Sequence, residues 1–197
     1  MDLDFIEIGT CNFGTLLQEC SETERGISIE PLKHYLDALP NKPNVLKLNA
    51  AITSHKTSNT IDMYYIPEEF IDKHNIFYGM KGCNSVNTYH PLHLAYNLQP
   101  FVRIERVVLL NIDEVLTMLN VRSVKLLKID TEGHDVVILQ GLYEYLREKS
   151  KLYYPKQIQF ESNEHTDPSK VTFTIEIFEQ IGYKLISRGY DTVLELI

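Results

Sequence analysis

Two short segments carry residue types and spacings that could do chemistry. The first is Asp4-Phe-Ile-Glu-Ile-Gly-Thr-Cys-Asn-Phe-Gly14, an apolar run entering a loop bounded by Gly9 and Gly14, with Glu30 closing the next apolar run. Gly9 lets the backbone approach a ligand closely, and Gly14 lets a helix start tightly against the strand. An acid at the end of the second strand is placed to accept hydrogen bonds from ribose hydroxyls. The spacing is Gly-x-x-x-x-Gly, without the middle glycine that a dinucleotide pyrophosphate needs, and no Gly-Lys-Ser/Thr is present to make a P-loop. Glu7 adds a carboxylate that repels phosphate and attracts an amino group. Together these residues describe a pocket for an adenosine cofactor without phosphate. S-adenosylmethionine, with a ribose, an ammonium and a sulfonium, has that character.

The second segment is Lys125-Leu-Leu-Lys-Ile-Asp-Thr-Glu-Gly-His134. Strand alternation places Leu126, Lys128 and Asp130 on one face. A lysine inside a buried strand needs a partner, because a lone buried charge is costly. Glu161, at the end of the neighbouring predicted strand, is the expected partner. Asp130 falls at the carboxyl end of its strand, facing the crevice, and Glu132, Gly133 and His134 make the turn into the next helix.

The elements that must position these groups alternate. Strands are expected at Leu3–Ile8, Gly26–Glu30, Val45–Ile52, Val124–Asp130 and Gln157–Glu161, with helices over Gly14–Glu22, Leu32–Leu39, Glu114–Leu119 (capped by Asp113), Asp135–Arg147 and Ser169–Ile181. Tyr183–Ser187 and Thr192–Leu196 close the chain as an antiparallel edge pair. That order predicts an α/β fold with a doubly wound, mostly parallel sheet in one domain spanning 1–197. Thr60–Ile66 and Phe101–Leu110 are rich in β-branched and aromatic residues. They predict an inserted β-excursion over about 60–107, carrying a long loop at Gly79–Pro91.

Composition narrows the function classes. With 19 Lys+Arg against 27 Asp+Glu the net charge is −8, a poor match for nucleic acid or an anionic membrane surface. No apolar stretch reaches transmembrane length and no leading apolar h-region is present. Cys11, Cys20 and Cys83 are odd in number and lack metal spacing, as expected of reduced thiols in a cytoplasmic protein. The first strand starts almost at Met1, which reads as a minimal version of the fold or one without an N-terminal lid.

Leu127-Lys-Ile-Asp-Thr-Glu-Gly-His-Asp, followed by Val137-Ile-Leu-Gln-Gly141, resembles the signature of FkbM-type methyltransferases. Asn12-Phe13-Gly14, Glu30-Pro31, Asn49-Ala50-Ala51-Ile52, Asn84-Ser85 and Asn111-Ile-Asp-Glu-Val-Leu116 agree in order. The loop departs from the family's Gly-Ala-Asn-x-Gly by one extra residue between Gly9 and Asn12. The resemblance implies a class I, Rossmann-like methyltransferase fold: a seven-stranded sheet with one antiparallel strand. It also implies S-adenosylmethionine-dependent O-methylation of a sugar or other small-molecule hydroxyl. Glu7, Gly9 and Asn12 would then hold the methionine end, Glu30 the ribose and Ala51 and Ile52 the adenine, with Thr10, Phe13 and Gly14 also among the cofactor-binding residues. Asn84 and Ser85 would close over the site, and Asp130 would face the cofactor. Asp130 or His134 is the expected general base, with His165 as a third choice. A metal-free reaction is favoured over the variant in which Asp130, Glu161 and Asn163 bind one Mg²⁺ through oxygen ligands. The competing readings are a binding module without turnover, which the short N-terminus favours, and a nicotinamide-dependent oxidoreductase, which the missing glycine disfavours.

Overall fold

The central strands are apolar on both faces. Leu3, Phe5, Ile6 and Ile8 of β1 (Asp2–Ile8) are all buried, as are Ile27 and Ile29 of β2 (Gly26–Ile29), the pattern of parallel strands covered on both sides. They belong to a computed structural model that describes residues 1–86, 88–163 and 166–197. In chain order the other strands are β3 (Val45–Leu48), β4 (Ala51–Thr53), β5 (Thr60–Tyr65), β6 (Arg103–Asn111), β7 (Ser123–Ile129), β8 (Gln157–Glu161), β9 (Tyr183–Arg188) and β10 (Asp191–Leu196). The helices are α1 (Leu16–Glu19), α2 (Lys33–Ala38), α3 (Glu68–Lys73), α4 (Pro91–Ala95), α5 (Ile112–Met118), α6 (Asp135–Leu146) and α7 (Pro168–Gln180).

Seven strands form one sheet in the order β3-β2-β1-β7-β8-β10-β9. All are parallel except β10, which runs against both β8 and β9. The antiparallel strand therefore lies one position in from the edge, and β9 is the edge itself. Strand order reverses between β1 and β7, whose ends meet in register at Ile8 and Ile129. Such a switch point leaves a crevice at the carboxyl ends of the strands, where both chemistry-bearing segments emerge.

Three sequence expectations are corrected here and a fourth is narrowed. The run Val45–Ile52 is not one strand. Asn49 turns the chain by donating its side-chain amide to Glu30 O at 2.9 Å and Pro31 O at 2.8 Å. β3 therefore pairs with β2, while β4 joins a second sheet in the order β4-β6-β5. The first helix is a single turn, with Thr15 and Gln18 forming its capping box. α5 begins after Asn111, whose N–H donates to Glu114 at 2.8 Å, so Asp113 lies inside the helix. The stretch expected as a long loop at Gly79–Pro91 is held at both ends, by a 3₁₀ turn at Tyr78–Lys81 and by α4 from Pro91, and these pack with α3 and a second 3₁₀ turn at Gln99–Phe101 around Ile66, Ile71, Met80, Cys83 and Leu98.

α6 lies close to the second sheet because Gly141 has no side chain. A Cβ there would sit 2.6 Å from Ser54 Cα and 3.2 Å from Ile112 Cγ2. Gly141→Ala raises helix propensity by about 1 kcal/mol, but forcing the contact apart costs about 1–3 kcal/mol. Backbone cannot yield as a flexible side chain would, so the clash wins. We expect a lower urea midpoint for Gly141→Ala; an unchanged or raised midpoint would show that α6 moves aside freely.

Candidate active site

The glycine loop starts where three strands meet. Gly9 N donates to Ile29 O at 2.9 Å, and Asp130 N donates to Ile8 O at 2.9 Å. A Cβ on Gly9 would lie 1.8 Å from Asp130 O, and its φ is +83°, so no other residue fits the crossing. Cys11 absorbs the loop's extra residue by adopting a left-handed φ of +46°. That turns its N–H onto Glu30 Oε2 at 2.7 Å, while Leu32 N donates to Glu30 Oε1 at 2.9 Å. Glu30 therefore holds the loop as well as bordering the crevice. Burial pushes its pKa up to about 7, against the pull of these N–H groups.

Glu7 occupies a different place from the one its spacing suggests. It is fully buried, and both its oxygens accept from Leu16 N, at 2.9 and 3.1 Å, anchoring the start of α1. It also pairs with Lys128 Nζ at 3.2 Å. Lys128 was expected to meet Glu161. The register explains the correction: Glu7 stands opposite Lys128 across β1 and β7, whereas the neighbour of Lys128 on β8 is Gln159. Burial lowers the Lys128 pKa, but the carboxylate of Glu7 and then that of Asp130 outweigh it, so Lys128 stays charged.

Beyond β7 the chain makes a tight turn through Glu132 and Gly133, at φ +53° and +95°. A left-handed glutamate is uncommon and marks a position held by its surroundings. Asp130, Glu132 and Glu161 each bring a carboxylate oxygen within 4.8 Å of the others. Burial pushes the pKa of Glu161 up to about 9, with Glu132 and Asp130 adding repulsion. Burial also raises Asp130 to about 7, with Lys128 opposing. Asp135, fully buried, accepts from Thr131 Oγ1 at 2.9 Å and Glu161 N at 3.3 Å, tying this turn to β8. Asn163 donates to Glu161 Oε1 at 2.6 Å, so the third carboxylate of the cluster is Glu132 and the amide stands behind Glu161. His134 Nε2 lies 3.2 Å from Thr53 Oγ1, and burial lowers its pKa. His165 lies outside the described residues.

A cavity of about 400 Å³ opens between these segments, within the range of cofactor sites. Of the residues singled out in the sequence, Gly9, Thr10, Phe13, Gly14, Glu30, Ala51, Ile52, Asn84, Asp130, His134 and Glu161 line it. Glu7, Asn12, Ser85 and Asn163 do not. The carbonyl of Asn12 accepts from Gln18 Nε2 at 3.2 Å, and the backbone of Ser85 pairs with that of Tyr64 at 2.8 and 3.0 Å. Met63, Met80, Glu132 and Tyr190 are among the other residues on the wall that had not been singled out as site residues. Glu132 stood within the densest polar run, where only its role in the turn was legible. Tyr190 comes from the β9–β10 turn, which carries no local signal of a site. The charged lining among the described residues is four carboxyls, Glu30, Asp130, Glu132 and Glu161, against the single ammonium of Lys128.

Comparison with known proteins gives one match. The family model described as the methyltransferase FkbM domain matches residues 7–185 of the 197. No curated protein and no solved structure gives a significant match.

The state of Glu30 has a consequence for stability. Its carboxyl titrates near the ordinary value of 4.5 when unfolded and at about 7 when folded. Between those values the folded chain binds the extra proton, so its contribution to stability falls as pH rises through the window and is flat above it. Glu30→Gln cannot titrate. We expect wild type to lose stability relative to Glu30→Gln between about pH 5 and about pH 8, read from urea midpoints. A difference independent of pH would contradict the raised value.

Proposed function

We propose that this chain, which belongs to the FkbM methyltransferase domain family and is a methyltransferase, takes S-adenosylmethionine as its donor and methylates a hydroxyl oxygen on a sugar or other small molecule. The observation that carries this reading is Glu30. It is a buried carboxyl at the end of β2, bonded to the glycine loop and bordering the cavity. Even with Glu161 protonated, the carboxyls of Glu30, Asp130 and Glu132 outnumber the ammonium of Lys128 on the wall, which disfavours a pyrophosphate and favours a cationic ligand. That charge balance supports a sulfonium donor over a nicotinamide dinucleotide.

The donor, when bound, supplies a methyl group on a positively charged sulfur. The chain's own residues bind, orient and move a proton. Gly9 and Gly14 give the backbone a close approach. Each oxygen of Glu30 keeps a lone pair beyond its backbone N–H, which suits it to accept from ribose hydroxyls. Ala51, Met63, Cys11 and Val86 pack into one apolar patch that suits an adenine face, with Ile52 beside Ala51 on the cavity wall. Asp130 and His134, both on the wall, are the groups able to take the acceptor's proton. Lys128, fixed by Glu7, stands 3.8 Å from Asp130 Oδ2 and positions that carboxyl.

Calorimetry with S-adenosylhomocysteine should show saturable binding that Glu30→Ala weakens at least about tenfold, the loss expected for hydrogen bonds to a charged acceptor. Glu30→Ala binding as well as wild type would sink the cofactor assignment, as would tight NAD⁺ binding. With labelled S-adenosylmethionine and a panel of sugar and polyketide alcohols, removing the base costs about 10²–10⁴-fold in turnover. Asp130→Asn or His134→Ala should show that loss while still binding S-adenosylhomocysteine. Full turnover in both would contradict the choice of base.

A further inference from the structure

We propose that Asp130, Glu132 and Glu161 form a binding site for one hard divalent cation of the Mg²⁺ class, on the wall of the same cavity. Their oxygens converge within 4.8 Å, and an all-carboxylate donor set suits Mg²⁺, Ca²⁺ or Mn²⁺ rather than a softer ion. Convergence of like charges alone would be a poor argument. The second observation is Glu161: only 5% exposed, with an Oε2 that is buried and makes no hydrogen bond. A buried carboxylate oxygen without a donor is costly, and either a proton or a bound cation compensates it.

The surroundings are arranged as outer-shell partners are around a metal. Asn163 Nδ2 fixes Glu161 by its Oε1 at 2.6 Å, leaving Oε2 as the atom over. The buried His90 faces Glu132 Oε2 with its Nε2 at 2.9 Å. Its Nδ1 accepts from Leu92 N at 3.2 Å, which leaves Nε2 as the protonated ring nitrogen. Lys128 stands 3.8 Å from Asp130 Oδ2. Glu161 thus has one oxygen held from outside the cluster and the other left over, while His90 and Lys128 stand beside Glu132 and Asp130, an arrangement that orients ligands before a cation arrives. Lys128 does not neutralise the group, since its closer contact is Glu7 at 3.2 Å. Glu132 joins the cluster from a left-handed backbone, at φ +53°.

A cation here would hold and polarise the acceptor hydroxyl, and that role rests on the methyl-transfer reading; the binding itself does not. The test is titration of the full chain, stripped with EDTA, with Mn²⁺ as the probe and Mg²⁺ as competitor. We expect one saturable site, weakened at least about tenfold by Glu161→Gln and by Glu132→Gln, and unchanged in Glu148→Gln. The stripped Glu161→Gln chain should melt no lower than stripped wild type, because it loses a repelling carboxyl, and Mg²⁺ should raise the melting temperature of wild type only. Absence of saturable binding, or equal binding by wild type and both cluster variants, would overturn the site. S-adenosylhomocysteine titrated into the same samples separates the failures: metal binding without it sinks only the cofactor reading, and the reverse sinks only the cation site.

Discussion

The buried carboxylate of Glu7 is the contact on which the rest of the site depends. It sits at the middle of the sheet, where β1 and β7 run in register, and holds two things at once: the first backbone N–H of α1 and the ammonium of Lys128. The first bond fixes where the glycine loop ends. The second keeps a charged lysine in an otherwise apolar strand and places it beside Asp130. Removing one partner of a buried pair costs about 3–5 kcal/mol, because the other charge is left uncompensated. Lys128 keeps some solvent contact, so the lower part of that range applies on its side.

From this node the cavity follows. Gly9 passes beneath Asp130 O at a separation only glycine tolerates, which brings the loops after β1 and β7 together. Glu30 then draws the glycine loop toward β2 through Cys11 N. The wall acquires four carboxyls and one ammonium, and that imbalance underlies both the proposed cationic donor and the proposed cation site.

Much of this was legible in the sequence, and the gaps have physical causes. The apolar runs gave β1, β2, β7 and β8 within a residue or two, because strands buried on both faces leave an unambiguous signal. The Lys128-Ile-Asp-x-Glu-Gly133 run marked one wall of the cavity. The partner of Lys128 was not legible, since pairing depends on the register between strands distant in sequence, and periodicity within one strand says nothing about it. The break between β3 and β4 rests on the side-chain bonds of Asn49 to Glu30 O and Pro31 O, which only the folded chain reveals. Glu132 was hidden because a glutamate gives no hint of a left-handed backbone. Tyr190 was hidden because its turn reaches the cavity only through the β8–β10 pairing.

The central claim is that the crevice at the ends of β1, β2 and β7 holds S-adenosylmethionine, and a crystal structure of the chain with S-adenosylhomocysteine tests it most directly. The account predicts the ribose hydroxyls on Glu30, the adenine against Ala51 and Met63, and the sulfur turned toward Asp130. Ligand density elsewhere, or in the cavity with Glu30 touching only Cys11 N and Leu32 N, would contradict it.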